Sequence, residues 1–195
     1  MERTSVQKLA RVLRVQVIII FVCNIIALYF VPTLAAMLAN NRWDGQTMER
    51  LLSGQLGFWL EFSVYVWHPV MWMLALTGED FYWPVLAVFL LVCGICTAVI
   101  LWQGQRVLDT VLAGDPFSMK NAANLRRAAV CGFVISGAAL ARLIWGFVYY
   151  QSIAPLLTYN ALFVPVFLVG GLLFLVMSAL FRQAAELKAE NDLTI

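Results

Sequence analysis

The chain has 195 residues, of which 63% are hydrophobic and 12% charged, with a formal net charge of +2. A water-soluble domain averages about 45–50% apolar and about 25% charged residues, so a mean hydropathy of +0.84 leaves too little polar surface to coat a soluble particle. The composition excludes a soluble globular protein, makes lipid the main solvent, and at this length fits a single membrane domain over 1–195.

Four basic residues (Arg3, Lys8, Arg11 and Arg14) precede the first apolar run, 15–38, whose clearly polar interruptions are Gln16, Asn24 and Thr33. A secretory h-region is about 7–15 residues long, whereas this run has 24, so it is expected to stay as an anchor. A helix needs about 20 residues to cross about 30 Å of hydrocarbon. Helix is the default because every backbone N–H and C=O must be satisfied without water.

The segment 40–81 is the largest piece outside the expected spans, and its core, 56–77, is apolar enough to compete as a fifth crossing. A fifth crossing would carry the basic loop that follows to the outside and leave Glu79 and Asp80 inside, against the distribution of Lys and Arg. Glu61, His68 and Pro69 also interrupt it. The segment is therefore expected to lie on, or dip into, the outer leaflet, with Trp59, Tyr65, Trp67, Trp72 and Trp83 at headgroup level. Gly57, Glu61, Tyr65 and His68 make a polar helical stripe, while Leu60, Phe62, Val64 and Val66 alternate as in a strand. Both periodicities fit; an interfacial helix ending near Pro69 is the expectation.

Further spans are expected at 82–103, 128–150 and 161–181; the third carries a single charge, Arg142, and the fourth none. Between the second and third, 104–127 reads as helix, break, helix. Gly114, Asp115 and Pro116 form the turn, and Ser118 caps a helix that runs through Asn121 and Leu125 into the third span. Arg126 and Arg127 then fall at the lipid boundary. Beyond the fourth span, 182–195 should continue as helix, with Arg182 and Glu186 paired at i,i+4. This tail is acidic at Glu190 and Asp192 where the loop is basic, so the two are expected to dock on each other or on a third protein.

Ten Lys and Arg lie before the first span, in 104–127 or after the fourth span; the opposite side has only Arg42 and Arg50. Both termini and the middle loop are thus expected in the cytoplasm. Cys23, Cys93, Cys96 and Cys131 all fall within spans, so they form no extracellular disulfide framework. The C-x-x-C at Cys93 and Cys96 reads as buried apolar packing, having no cationic neighbour to generate thiolate.

Arg142 sits about 4.5 Å past the centre of its span, where a charge costs at least about 2.5–3.5 kcal/mol. Ala138 and Gly146 flank it at i−4 and i+4 and leave a shallow groove for a neighbour. Glu61 is the acidic candidate partner and Asn24 the neutral one. Helix-to-helix glue or snorkelling is favoured over a ligand or ion site. His68 is the sole histidine, too little for a metal site, and no G-x-S-x-G, H-E-x-x-H or phosphate-binding Gly-rich loop is present. A non-enzymatic chain with no catalytic residues, cofactor or metal is the expectation. A transporter would be expected to show two broken helices in matching halves; here only Pro165 and Gly170-Gly171 of the last span interrupt one.

Gly114, Pro116, Phe117, Asn121, Leu125 and Arg126, followed far downstream by Phe181-Arg182, Glu186-Leu187 and the closing run Glu190, Asn191, Asp192, Leu193, Thr194 and Ile195, make a recurring pattern. In these residues and in its span layout the chain resembles domain-of-unknown-function family 2975, small bacterial four-helix membrane proteins. Family members often carry Gly where Ala184 stands, so a continuous tail helix is expected here. The resemblance brings no established activity. It implies a protein of the bacterial cell membrane that controls a small cytoplasmic regulator of the helix-turn-helix class, without touching nucleic acid itself. The leading expectation is a membrane sensor or sequestering protein, with input through 40–81 and a regulatory protein held by the loop and tail. The alternatives are a small transporter or transporter subunit using Arg142 and Glu61, and protection against envelope stress or peptides through the aromatic outer segment.

Overall fold

A computed structural model describes residues 5–39, 53 and 82–193. The regular structure among them is entirely helical: α1 (Ser5–Ala39), α2 (Tyr82–Ala113), α3 (Met119–Tyr150), a single 3-10 turn (Ala154–Leu157) and α4 (Tyr159–Leu193). Each of the four α-helices contains a stretch long and apolar enough to cross a membrane: Lys8–Phe30, Pro84–Ala113, Met119–Tyr150 and Asn160–Asn191. The helical architecture expected from the apolar runs is therefore present. The segment 40–81, with Glu61, His68 and the expected interfacial helix, lies outside the described residues apart from Ser53.

The helices outlast the apolar runs. α2 and α3 each have 32 residues, about 48 Å at 1.5 Å per residue, against about 30 Å of hydrocarbon. Once nucleated, a helix gains a hydrogen bond for each added residue, and the single glycine of 104–113, Gly104, costs only about 1 kcal/mol, so α2 continues to Ala113. α4 likewise runs through Ala184 without interruption, as the departure from glycine there predicts.

The chain divides into two units, residues 1–24 with 95–195, and residues 25–94. In the second, Gly94 lets α2 approach α1. A Cβ built on Gly94 would stand 2.7 Å from the Leu28 side chain.

The first unit is organised by the α3–α4 hairpin. The buried face of α3 carries Ala122, Ala128, Ala129, Gly132, Ile135, Ser136 and Ala139, almost all of them small. The large apolar side chains point the other way: Val130, Val134, Leu140, Ile144 and Val148 of α3 are exposed, as are Leu162, Val166, Leu173 and Val176 of α4. In water this would be an inverted protein. In lipid, tails solvate leucine as well as a neighbouring helix does, so association depends on close packing and hydrogen bonds between small residues. A Cβ on Gly132 would lie 3.2 Å from the Gly171 Cα, and one on Gly171 would lie 2.8 Å from the Phe133 ring and 3.2 Å from the Ala129 carbonyl. On either side of this crossing a hydroxyl ties one helix to the other's backbone. Ser136 Oγ donates to the Val164 carbonyl at 2.8 Å, and Ser178 Oγ to the Ala122 carbonyl at 2.7 Å. At about 100° per residue, Asn160, Gly171 and Ser178 fall within roughly 20° of one another on α4.

Gly170 and Gly171 therefore behave differently, although they are adjacent. Gly171→Ala drives a methyl into Phe133 and the α3 backbone and should destabilise the chain by about 1–3 kcal/mol, whereas Gly170 has nothing within 4 Å of an added Cβ. Thermal melts in detergent, followed by tryptophan fluorescence, should show a lowered midpoint for Gly171→Ala and none for Gly170→Ala.

Candidate functional site

The described polar chemistry concentrates at the end of the first unit where α2 turns into α3. α2 stops at a glycine in the left-handed region, Gly114 with φ 86°. Its N–H donates to the Val111 carbonyl at 3.2 Å, and the Asp115 N–H donates to the Thr110 carbonyl at 3.1 Å. These two bonds are the Schellman pattern, which satisfies carbonyls that a helix end leaves orphaned. Pro116 then prevents the helix from resuming. Ser118, in extended conformation, opens α3, its Oγ accepting from the Asn121 N–H at 3.3 Å. The expected turn and cap are both in place.

Asn121 joins the two helix ends. Its side chain is fully buried. The Nδ2 donates to Thr110 Oγ1 at 2.5 Å and to the Pro116 carbonyl at 2.7 Å, while Thr110 donates in turn to the Val107 carbonyl. One amide thus fixes the last turn of α2, the connecting turn and the first turn of α3. Of the remaining motif residues, Leu125 is half-buried and Arg126 exposed.

The end of α4 packs onto this turn. Phe181 meets Phe117 with ring centroids 5.6 Å apart, and Lys188 Nζ reaches Asp115 Oδ1 at 2.8 Å. Arg182 pairs with Glu186 at 2.9 Å along the same helix, as its spacing predicts. Loop and tail dock on each other, but in opposite polarity to their net charges: the tail supplies the cation and the loop the anion. Local register outweighs regional charge, because a pair in contact gains far more than screened charges at a distance. Glu190 is exposed, and Thr194 lies outside the described residues.

At the opposite end of α3, the half-buried Arg142 donates from a guanidinium nitrogen to Asn160 Oδ1 at 3.0 Å. Asn160 is absent from the sequence-based candidates because it falls one residue before the apolar run at 161–181. The connection between α3 and α4 folds back along α3, with Pro155 against Gly146, and so brings the first turn of α4 level with Arg142. The shallow groove at Gly146 is real and is occupied by the buried Pro155, whose Cβ and Cγ lie 3.2 Å from where a Gly146 Cβ would be. Glu61 lies outside the described residues, and Asn24 sits half-buried on α1. Among the described residues no group of three or more His, Cys, Asp or Glu side chains could hold a metal ion.

The family model described as "Protein of unknown function (DUF2975)" matches residues 72–195, and the chain belongs to this family. No curated protein and no solved structure matches it.

Removing the Asn121 amide leaves the Pro116 carbonyl and Thr110 hydroxyl without that donor, so Asn121→Ala should cost about 2 kcal/mol. Hydrogen exchange should show the loss as faster exchange confined to 107–121. Arg142 and Asn160 should couple by about 1 kcal/mol in a double-mutant cycle of Arg142→Leu and Asn160→Leu. Additive melting shifts would show that their hydrogen bond contributes nothing.

Proposed function

We propose that this member of the DUF2975 family is a non-enzymatic protein of the bacterial cell membrane that holds a cytoplasmic regulatory protein of the helix-turn-helix class. Both termini and the α2–α3 turn lie in the cytoplasm in this reading, which rests on the ten-to-two distribution of Lys and Arg.

The observation that carries it is the assembly of two distant sequence motifs into one surface. Asp115 and Lys188 stand 73 residues apart in the chain yet form an ion pair, and Phe117 packs against Phe181 at a tilt of 53° beside them. An exposed ion pair of this kind contributes about 0–1 kcal/mol, so it orients the tail rather than stabilising the fold. Outside the apolar runs 128–150 and 161–181, Phe117, Met119 and Leu187 remain 49%, 53% and 62% exposed. Apolar side chains at a water-facing end are a docking surface in the making. Arg142 fits this reading as a clasp between α3 and α4, being held by Asn160.

Affinity purification of the tagged full chain from bacterial membranes tests the proposal. A soluble regulator should co-elute with wild type and fall about tenfold with Phe117→Asp or Leu187→Asp, at equal membrane yield. Recovery of no soluble partner, with wild type and variants alike, would sink it. Alkaline phosphatase fused after Ile195 should stay inactive; an active fusion reverses the orientation.

A further inference from the structure

Beside the α2–α3 turn an open cavity of about 440 Å³ is walled by the last turns of α2 and the first turns of α3. Arg106, Lys120 and Arg127 line it together with Asp109, Asn121 and Asn124. The three cations are exposed, and none is paired with a carboxylate among the described residues. Asp109 is already engaged by Arg14 at 2.9 Å. Arg106 lies over the Trp102 ring at 4.8 Å, which positions the guanidinium without neutralising it. Low-dielectric walls focus the summed field of such charges into the cavity and raise the local concentration of anions.

A second observation, independent of charge, also points to a ligand. The fully buried Asn121 has both amide hydrogens committed, while its Oδ1 has no hydrogen-bond partner among the described residues. Buried acceptors without donors are rare and each calls for an explanation. Three cations at one cavity suit an anion, and the amide wall of Asn121 and Asn124 suits hydroxyl groups.

Depth narrows the choice. Arg106 lies three residues beyond the apolar run 82–103, and Arg127 directly precedes the run 128–150. At 1.5 Å per residue both stand within about 5 Å of the hydrocarbon edge, inside the headgroup layer of about 5–7 Å per leaflet.

We propose that this cavity binds a glycerophosphate group, its phosphate held by Arg106, Lys120 and Arg127 and its glycerol hydroxyls meeting the amide wall formed by Asn121 and Asn124. The group belongs either to an anionic phospholipid headgroup or to a soluble glycerol phosphate, and the site needs no protein partner on the neighbouring turn.

The purified full chain, in uncharged detergent, is titrated with phosphatidylglycerol, with phosphatidylmethanol (equal charge, no headgroup hydroxyl) and with sn-glycerol 3-phosphate. Native mass spectrometry reads the bound fraction. Neutralising one cation should weaken binding about fivefold and the pair Lys120→Gln with Arg127→Gln roughly 25-fold. Arg11→Gln, an equal charge loss outside the cavity, should leave affinity unchanged, and an unaltered ligand-free melt of each variant shows that its fold is intact. Phosphatidylglycerol binding several-fold tighter than phosphatidylmethanol, with that variant pattern, supports the headgroup source. Saturation by sn-glycerol 3-phosphate with the same pattern supports the soluble one. Equal loss in Arg11→Gln, or no difference between wild type and the double variant, overturns the site, and so does equal affinity for the two lipids without saturation by sn-glycerol 3-phosphate.

Discussion

Lipid removes the ordinary reason for helices to associate, and the contact between Gly132 and Gly171 replaces it. Two helices in hydrocarbon gain nothing by burying leucine against leucine, because the tails already solvate it. They gain from backbone approach, which α3 permits by presenting Ala128, Ala129, Gly132, Ser136 and Ala139 where a soluble helix would present large side chains. The functional geometry of the first unit follows from this approach. Because the pair is antiparallel, the C-terminal turns of α4 return beside the N-terminal turns of α3, bringing Phe181 to Phe117 and Lys188 to Asp115. The same pairing places Asn160 against Arg142 at the other end.

The polar contacts of the hairpin differ in weight according to depth. Lys188–Asp115 and Arg182–Glu186 are about half-exposed or more on both sides, and water competes with each. The contacts of Ser136 and Ser178 with backbone carbonyls are short and part-buried, where an unmade bond costs more than in water. Arg142 and Asn160 lie between these extremes. The tail is therefore held by Ser178 and by aromatic packing, and the ion pairs refine its direction.

Sequence patterns carried the helices because lipid imposes a one-dimensional rule: a long enough apolar run must be helical. The turn was legible for a similar reason, since Gly114, Pro116 and Ser118 each act through local backbone chemistry. Pairings between helices were not. Asn160 lay one residue outside an apolar run, and its worth depends on which face of α4 meets α3. The polarity of the loop–tail contact was misleading in the sequence, because counting charges by region ignores which side chains come into register. The small-residue stripe of α3 went unread, because its counterpart on α4 offers only Gly171 and Ser178 among large residues. Asn121 was recognisable as a motif residue, while its task of joining Thr110 to Pro116 needed the fold.

α4 is one continuous helix of 35 residues, Tyr159–Leu193, and its attachments to α3 at Asn160, Gly171 and Ser178 share a single line along its surface. A shaft keyed along one line cannot rotate at one end alone. Asn160 and Ser178 are separated by about 27 Å of axis at 1.5 Å per residue, and each limits the torsion that the other permits. Rotation of the tail is thus opposed at Ser178, at Gly171 and, through Asn160, at the guanidinium of Arg142 within the span. Mechanically, α4 is pinned against rotation about its own axis at three depths, with Pro165 between the first two pins.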